Sequence, residues 1–148
     1  NTIDRQKDVL FYFAGTTKNR DDRLIKPNIR YLGILSKPDM MSFLNQMDVL
    51  IICYKSDEYR EQVANSHKLM EYFSTGKAVV ATYMLDYEGS DLLYMIENGE
   101  KWPELLNQTL NQLDEVNQEE LAKNRRKFAT ENTYQRHLEK IESLLGTH

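Results

Sequence analysis

The residues best suited to chemistry lie in one short segment, residues 65–82. Lys68 and Glu71 are three positions apart, so a helix places an ammonium and a carboxylate one turn apart on the same side. Asn65 or Ser66 precedes them where a helix cap belongs. The first helical turn also has unpaired backbone N–H groups at the positive end of the helix dipole. This combination suits a ligand with phosphates at one end and hydroxyls at the other.

Three elements must position these groups. The spacing predicts a helix over Ser66–Thr75, a stop at Gly76 in the left-handed conformation, and an apolar strand from Ala78 to Tyr83. At about 100° per residue, one side of the helix is apolar and predicts core contact, whereas the other is polar. The apolar side comprises Leu69, Met70 and Phe73, and the polar side comprises Lys68, Glu71, Tyr72 and Thr75.

Short apolar runs alternate with helical segments along most of the chain. Strands are predicted at Val9–Ala14, Ile29–Leu32, Val49–Tyr54, Ala78–Tyr83 and Leu92–Ile96, and helices at Pro38–Met47, Ser66–Thr75 and Pro103–Leu113. Ser36 is the expected cap of the first of these helices. This alternation predicts an α/β fold, a doubly wound, Rossmann-like parallel sheet with helices on both faces.

A long, polar helical segment is predicted at the C-terminus, over Glu115–Leu145. Its apolar positions are sparse: Leu121, Phe128, Leu138, Ile141 and Leu145. A polar helix with one narrow apolar stripe often lies across a neighbouring domain.

Ligands of doubly wound sheets bind beyond the carboxyl ends of the strands. The loops expected at that edge are Gly15–Lys18, Gly33–Lys37, Tyr54–Asn65 and Thr82–Ser90. The longest of them leads directly into the helix with Lys68 and Glu71, and long loops in compact domains are often functional.

The segment around Lys68 resembles the donor-site signature of B-fold glycosyltransferases, in particular the large retaining family called group 1. The matching residues are Lys68, Leu69, Glu71, Tyr72, Gly76, Lys77, Val79 and Val80. The resemblance extends more weakly to Asn28–Gly33 and Asp48–Ile52, which are similar to two strands of that family.

The resemblance implies metal-independent transfer of a sugar from a nucleoside diphosphate sugar, with no other cofactor. Lys68 and Glu71 are then the catalytic residues, the former on the diphosphate with Ser66 and the latter on the ribose hydroxyls. The implied nucleotide-sugar-binding set is Gly15, Thr16, Gly33, Ile34, Ser66, Lys68, Leu69 and Glu71. The acceptor, a sugar or a lipid-linked molecule, is expected on a separate N-terminal half.

The chain also departs from the family pattern. Val63 occupies the position of a glutamate that contacts the transferred sugar, although Glu58 or Glu61 could substitute. The family's Arg and Lys from the first strand-loop have no counterpart. We therefore expect one nucleotide-sugar-binding domain over residues 1–148, a fragment without the acceptor domain and without that strand-loop. Two alternatives stay open: a non-catalytic, degenerate transferase-like interaction module and a nucleotide-sugar epimerase fragment.

Composition bounds the remaining possibilities. The chain has 148 residues and a net charge of −4, which gives no reason to expect nucleic acid as a partner. Its one cysteine, Cys53, is expected to be a buried, inert thiol. No apolar run approaches the ~20 residues of a membrane span, so a cytoplasmic setting is expected. The basic cluster Lys123, Arg125, Arg126 and Lys127 predicts a solvated face, with peripheral membrane contact as the alternative.

Overall fold

The computed structural model describes residues 2–16, 25–53, 67–133, 136 and 142–143. The chain divides into two compact units, Asn1–Phe43 and Leu44–His148. Helices alternate with strands, and every strand pairing of the described residues is parallel, which confirms the predicted α/β class. The described strands form two sheets, one in each unit.

The first unit contains a two-stranded parallel sheet. Its elements are α1 (Thr2–Arg5), β1 (Phe11–Ala14), β2 (Ile29–Gly33) and α2 (Lys37–Leu44). Phe11 pairs with Ile29 in the sheet, and both side chains are buried. The predicted cap of α2 is confirmed, because Ser36 Oγ accepts a hydrogen bond from the Asp39 backbone N–H at 3.3 Å.

The second unit contains a three-stranded parallel sheet in the order β3-β4-β5. Its elements are β3 (Val49–Ile52), α3 (His67–Thr75), β4 (Ala78–Thr82), β5 (Tyr94–Ile96), α4 (Trp102–Asn111), α5 (Leu113–Val116) and α6 (Glu119–Glu131). β4 is the middle strand, and its first four residues are fully buried, as its continuous apolar sequence predicts.

Helix α3 packs with its predicted apolar side inward, since Leu69 and Phe73 are fully buried. Gly76 ends the helix with φ +77°, so the predicted left-handed stop is confirmed.

Helix α6 belongs to the predicted C-terminal helical segment, of which residues 134–135, 137–141 and 144–145 lie outside the described residues, so its placement across a neighbouring domain stays a prediction. The helix packs on α3 of its own unit, with the Phe73 and Phe128 ring centroids 5.8 Å apart. A Cβ atom at Gly76 would lie 3.2 Å from Ala122 Cβ, so the end of α3 meets the start of α6 and the two helices run antiparallel. The small side chain of Ala122 permits this close approach of the two helices. Within the described residues, no helix combines the length and the apolar sequence that a bilayer crossing requires.

Candidate functional site

The direction of α3 places its first turn near the carboxyl ends of the strands. Only Gly76 and Lys77 separate α3 from β4, so the helix ends at the amino edge of the sheet. One turn earlier, the Phe73 ring lies 5.9 Å from the ring of Tyr87, which follows the carboxyl end of β4. A nine-residue helix is about 13.5 Å long, close to the roughly 16 Å of a five-residue strand. The N-terminus of α3 therefore reaches the edge where ligands of parallel sheets bind.

The polar side of α3 begins with an exposed ammonium. Lys68 is exposed in the first turn, and Glu71, one turn further on, is half-buried. Leu69 belongs to the predicted binding set, but the whole residue is buried in this structure. The catalytic roles of Lys68 and Glu71 stay predictions.

Thr75 does not lie on the exposed side of α3 as the sequence predicts. It is buried, its hydroxyl donates to the Tyr72 carbonyl at 2.7 Å, and the same oxygen accepts from the Lys77 N–H at 3.1 Å. The physical reason is local, because α6 packs against the end of α3 beside Gly76.

Four other predicted site residues lie together at the carboxyl ends of β1 and β2 in the first unit. The Gly15 N–H donates to the Gly33 carbonyl at 2.7 Å, and both glycines have positive φ, +130° and +69°. A Cβ at either position would meet nothing within 4 Å, Thr16 is exposed, and Ile34 is 78% exposed. Glycine is required here by the backbone conformation, and it leaves peptide groups accessible to a ligand.

The remaining predicted residue, Ser66, lies outside the described residues, and so do Glu58, Glu61 and Val63. The described binding residues thus form two groups: Gly15, Thr16, Gly33 and Ile34 in the first unit, and Lys68, Leu69 and Glu71 in the second. Each group lies at the carboxyl end of its own strands.

Cys53 corrects another expectation. It directly follows β3 and is exposed, not buried. Neighbouring protein nevertheless removes enough water from the sulfur to raise the pKa of the thiol to about 11. We still expect low reactivity at neutral pH, but for a different reason: the residue is accessible, and the raised pKa leaves very little of the thiol as thiolate.

The opposite, amino edge of the second sheet is closed by side chains that the sequence does not single out. Asn117, directly after α5, bridges the beginnings of two strands. Its Oδ1 accepts from the Ala78 N–H at 2.8 Å, and its Nδ2 donates to the Asp48 carbonyl at 3.0 Å. The side chain thus continues the hydrogen bonding between β3 and β4 beyond their first residues.

Arg125 of α6 is fully buried, which corrects the prediction of a solvated basic face. Its Nε donates to the Leu92 carbonyl at 2.9 Å, and its Nη1 donates to the carbonyls of Gly76 at 3.1 Å and Val116 at 2.9 Å. The guanidinium lies 5.8 Å from the centre of the Tyr94 ring. Burial lowers the pKa of Arg125 from its ordinary high value.

One sequence signal could have indicated this burial. Ala122, Arg125 and Ala129 are spaced by three and four residues, which places the arginine between two small residues on one helix face. The other members of the basic cluster conform better to the expectation, since Lys123 and Lys127 are exposed and Arg126 is half-buried.

Neither a family model, a curated protein nor a solved structure matches this chain. The resemblance to glycosyltransferases therefore rests on the residues themselves.

Proposed function

We propose that the second unit binds a nucleoside diphosphate sugar at the N-terminus of α3, and that the chain is the donor-binding half of a B-fold glycosyltransferase. One observation supports this most directly. Lys68 is exposed in the first turn of a helix that begins near the carboxyl ends of a parallel sheet. Ligands of such sheets bind at that edge, and a helix N-terminus attracts anions.

The chemistry follows from the charge that develops during sugar transfer. The nucleoside diphosphate leaves with growing negative charge, which the Lys68 ammonium and the first-turn N–H groups of α3 would stabilise more in the transition state than in the ground state. One such donor typically lowers the barrier by ~3 kcal/mol. Glu71, one turn further into the helix, accepts hydrogen bonds from the ribose hydroxyls, since a carboxylate can accept from both members of a vicinal diol.

The rest of the proposal follows the family resemblance. The transfer is retaining and metal-independent, and the nucleotide sugar is the only small-molecule requirement besides the acceptor. The acceptor is a sugar or a lipid-linked molecule held by a separate half. The setting is cytoplasmic, with peripheral contact at the inner membrane surface where the acceptor is lipid-linked.

A second candidate is a degenerate transferase-like module that binds a partner without catalysis. Val63 favours it, because valine offers no hydrogen bond to a sugar at the position where the family has a glutamate. A nucleotide-sugar epimerase fragment is the third reading, and it would form a new sugar nucleotide without any acceptor.

Titration of the chain with UDP, GDP and ADP, followed by calorimetry and by amide chemical shifts, tests the proposal. We expect weak binding of at least one nucleotide, with shifts concentrated in the first turn of α3. Lys68→Ala and Glu71→Ala should each weaken that binding about tenfold, the loss of one charge-assisted hydrogen bond. Lys123→Ala and Glu120→Ala are matched controls, since both residues are exposed on α6.

Three results would contradict the proposal: no response to any nucleotide at millimolar concentration, shifts confined to other parts of the chain, or equal weakening by the control variants. Nucleotide binding without donor hydrolysis or transfer, even in the presence of an acceptor-binding half, would favour the degenerate module. Conversion of the donor sugar in the absence of an acceptor would favour the epimerase.

A further inference from the structure

The buried guanidinium of Arg125 satisfies three backbone carbonyls that belong to three different segments. Gly76 lies between α3 and β4, Val116 is the last residue of α5, and Leu92 lies two residues before β5. Two of these carbonyls are at the ends of helices, where unpaired C=O groups form the negative end of the helix dipole. The positive charge is thus compensated by backbone dipoles. Among the described residues, Nη2 has no hydrogen-bond partner.

A buried charge of this kind is costly unless its geometry is well satisfied. An apolar residue between Ala122 and Ala129 would pack against α3 without that cost. The guanidinium adds a fixed fork of donors that holds the three segments in one relative position.

The segment most affected is α3. Its C-terminal end is held by Arg125 through Gly76 and by close contact with Ala122, whereas in its first turn Leu69 is buried and Lys68 is exposed. A rigid helix about 13.5 Å long that tilts by about 10° at its fixed end moves at its other end by about 2 Å. In a positioned catalytic site, a displacement of about 1 Å can lower the reaction rate by up to a hundredfold.

We propose that Arg125 is a positioning residue, which locks the C-terminal end of α3 to the beginnings of β4 and β5 and thereby fixes the first turn of α3 as a ligand-binding end. This inference rests on the proposed function for its effect on nucleotide binding. The locking itself is a property of the chain without ligand.

The test uses Arg125→Lys and Arg125→Met in the whole chain. Lysine keeps the charge but has one nitrogen, which cannot reach three carbonyls of separate segments in the geometry of the guanidinium fork. Thr109→Ala is the stability control, because Thr109 is equally buried and its hydroxyl donates only within α4, to the Leu105 carbonyl at 2.9 Å. Lys123→Met is the charge control on the surface of the same helix.

The first readout is amide hydrogen exchange without ligand. We expect Arg125→Lys to accelerate amide exchange at Gly76, Lys77 and Ala78 at least ten times more than it accelerates exchange in α4. Thr109→Ala should not accelerate exchange preferentially at these three residues. Uniform acceleration along the chain in Arg125→Lys would overturn the proposal. If Arg125→Met does not fold, Arg125→Lys alone decides.

The second readout is nucleotide affinity with UDP, GDP and ADP. We expect Arg125→Lys to weaken binding about tenfold, and Thr109→Ala and Lys123→Met to leave it unchanged. Binding by the wild type that Arg125→Lys does not alter would overturn the positioning role and leave the proposed function intact. Absence of binding by the wild type would overturn the proposed function, and the exchange data would still decide whether Arg125 locks α3.

Discussion

The two edges of the second unit's sheet are built differently. At the amino edge, Asn117 and Arg125 hydrogen-bond to backbone groups beside the first residues of all three strands, and Gly76 lies against α6. At the carboxyl edge, Cys53 and Lys68 in the first turn of α3 are exposed. Side-chain hydrogen bonds to the backbone thus tie the strands together at the amino edge, whereas the exposed ammonium of Lys68 belongs to the other edge. Because of this separation, an edge that binds a ligand can keep polar groups without hydrogen-bond partners inside the protein. A stable core would have to supply such partners itself.

The contrast has a physical basis in the direction of the chain. In parallel units each helix returns from the carboxyl edge to the amino edge, so helix N-termini, with their free N–H groups, collect at one edge and helix C-termini at the other. A buried cation such as Arg125 suits the edge with the free carbonyls. An anionic ligand suits the opposite edge.

The largest expected effect comes from crowding the amino edge. Gly76→Ala should lower the free energy of unfolding by about 3 kcal/mol, because alanine disfavours positive φ and its Cβ would press on the Ala122 carbonyl. Gly89→Ala is the matched control, since Gly89 has φ +74° and no atom within 4 Å of an added Cβ, and it should cost about 1 kcal/mol. Urea unfolding followed by circular dichroism measures both. Equal losses for the two variants would show that the contact between α3 and α6 is loose.

The next effect concerns the carboxyl edge and is a pH dependence. Because the pKa of the Cys53 thiol is raised to about 11, the thiol stays protonated at neutral pH. Alkylation by iodoacetamide at pH 8 should be about 100-fold slower in the native chain than in the same chain unfolded in urea. The native rate should rise about tenfold per pH unit until it levels off near the raised pKa. A native rate that stays low at pH 11 would mean that this edge is closed to the reagent, contrary to the exposure of Cys53.

The smallest expected effect is that of a substitution at the carboxyl edge on the free energy of unfolding. Lys68→Ala should change the free energy of unfolding by less than about 0.5 kcal/mol, because the side chain is exposed. The same variant is expected to weaken nucleotide binding, so the two measurements together separate a binding residue from a structural one. A loss of stability comparable to that of Gly76→Ala would remove the distinction between the two edges.

Much of the second unit could be predicted from the sequence because its signals are local. The apolar spacing of Leu69 and Phe73, the stop at Gly76 and the apolar run of β4 each depend on neighbours within a few positions. The same holds for the Ser36 cap of α2 in the first unit. Helix periodicity, capping and strand composition act over about one turn or a few residues, so they are visible without a structure.

Part of the candidate site could also be predicted from the sequence. Lys68 and Glu71 lie one turn apart on α3, as their spacing predicts. The burial of Leu69 also follows from its place on the apolar side.

Other contacts could not be predicted from the sequence, because their partners lie far apart in the chain. Asn117 bonds to Asp48, 69 residues away, and Arg125 bonds to Gly76, 49 residues away. The burial of Thr75 and the exposure of Cys53 depend likewise on which elements cover them. A charged or polar side chain has no intrinsic preference for the interior, so its burial is determined by the backbone groups that the completed fold brings within reach of it.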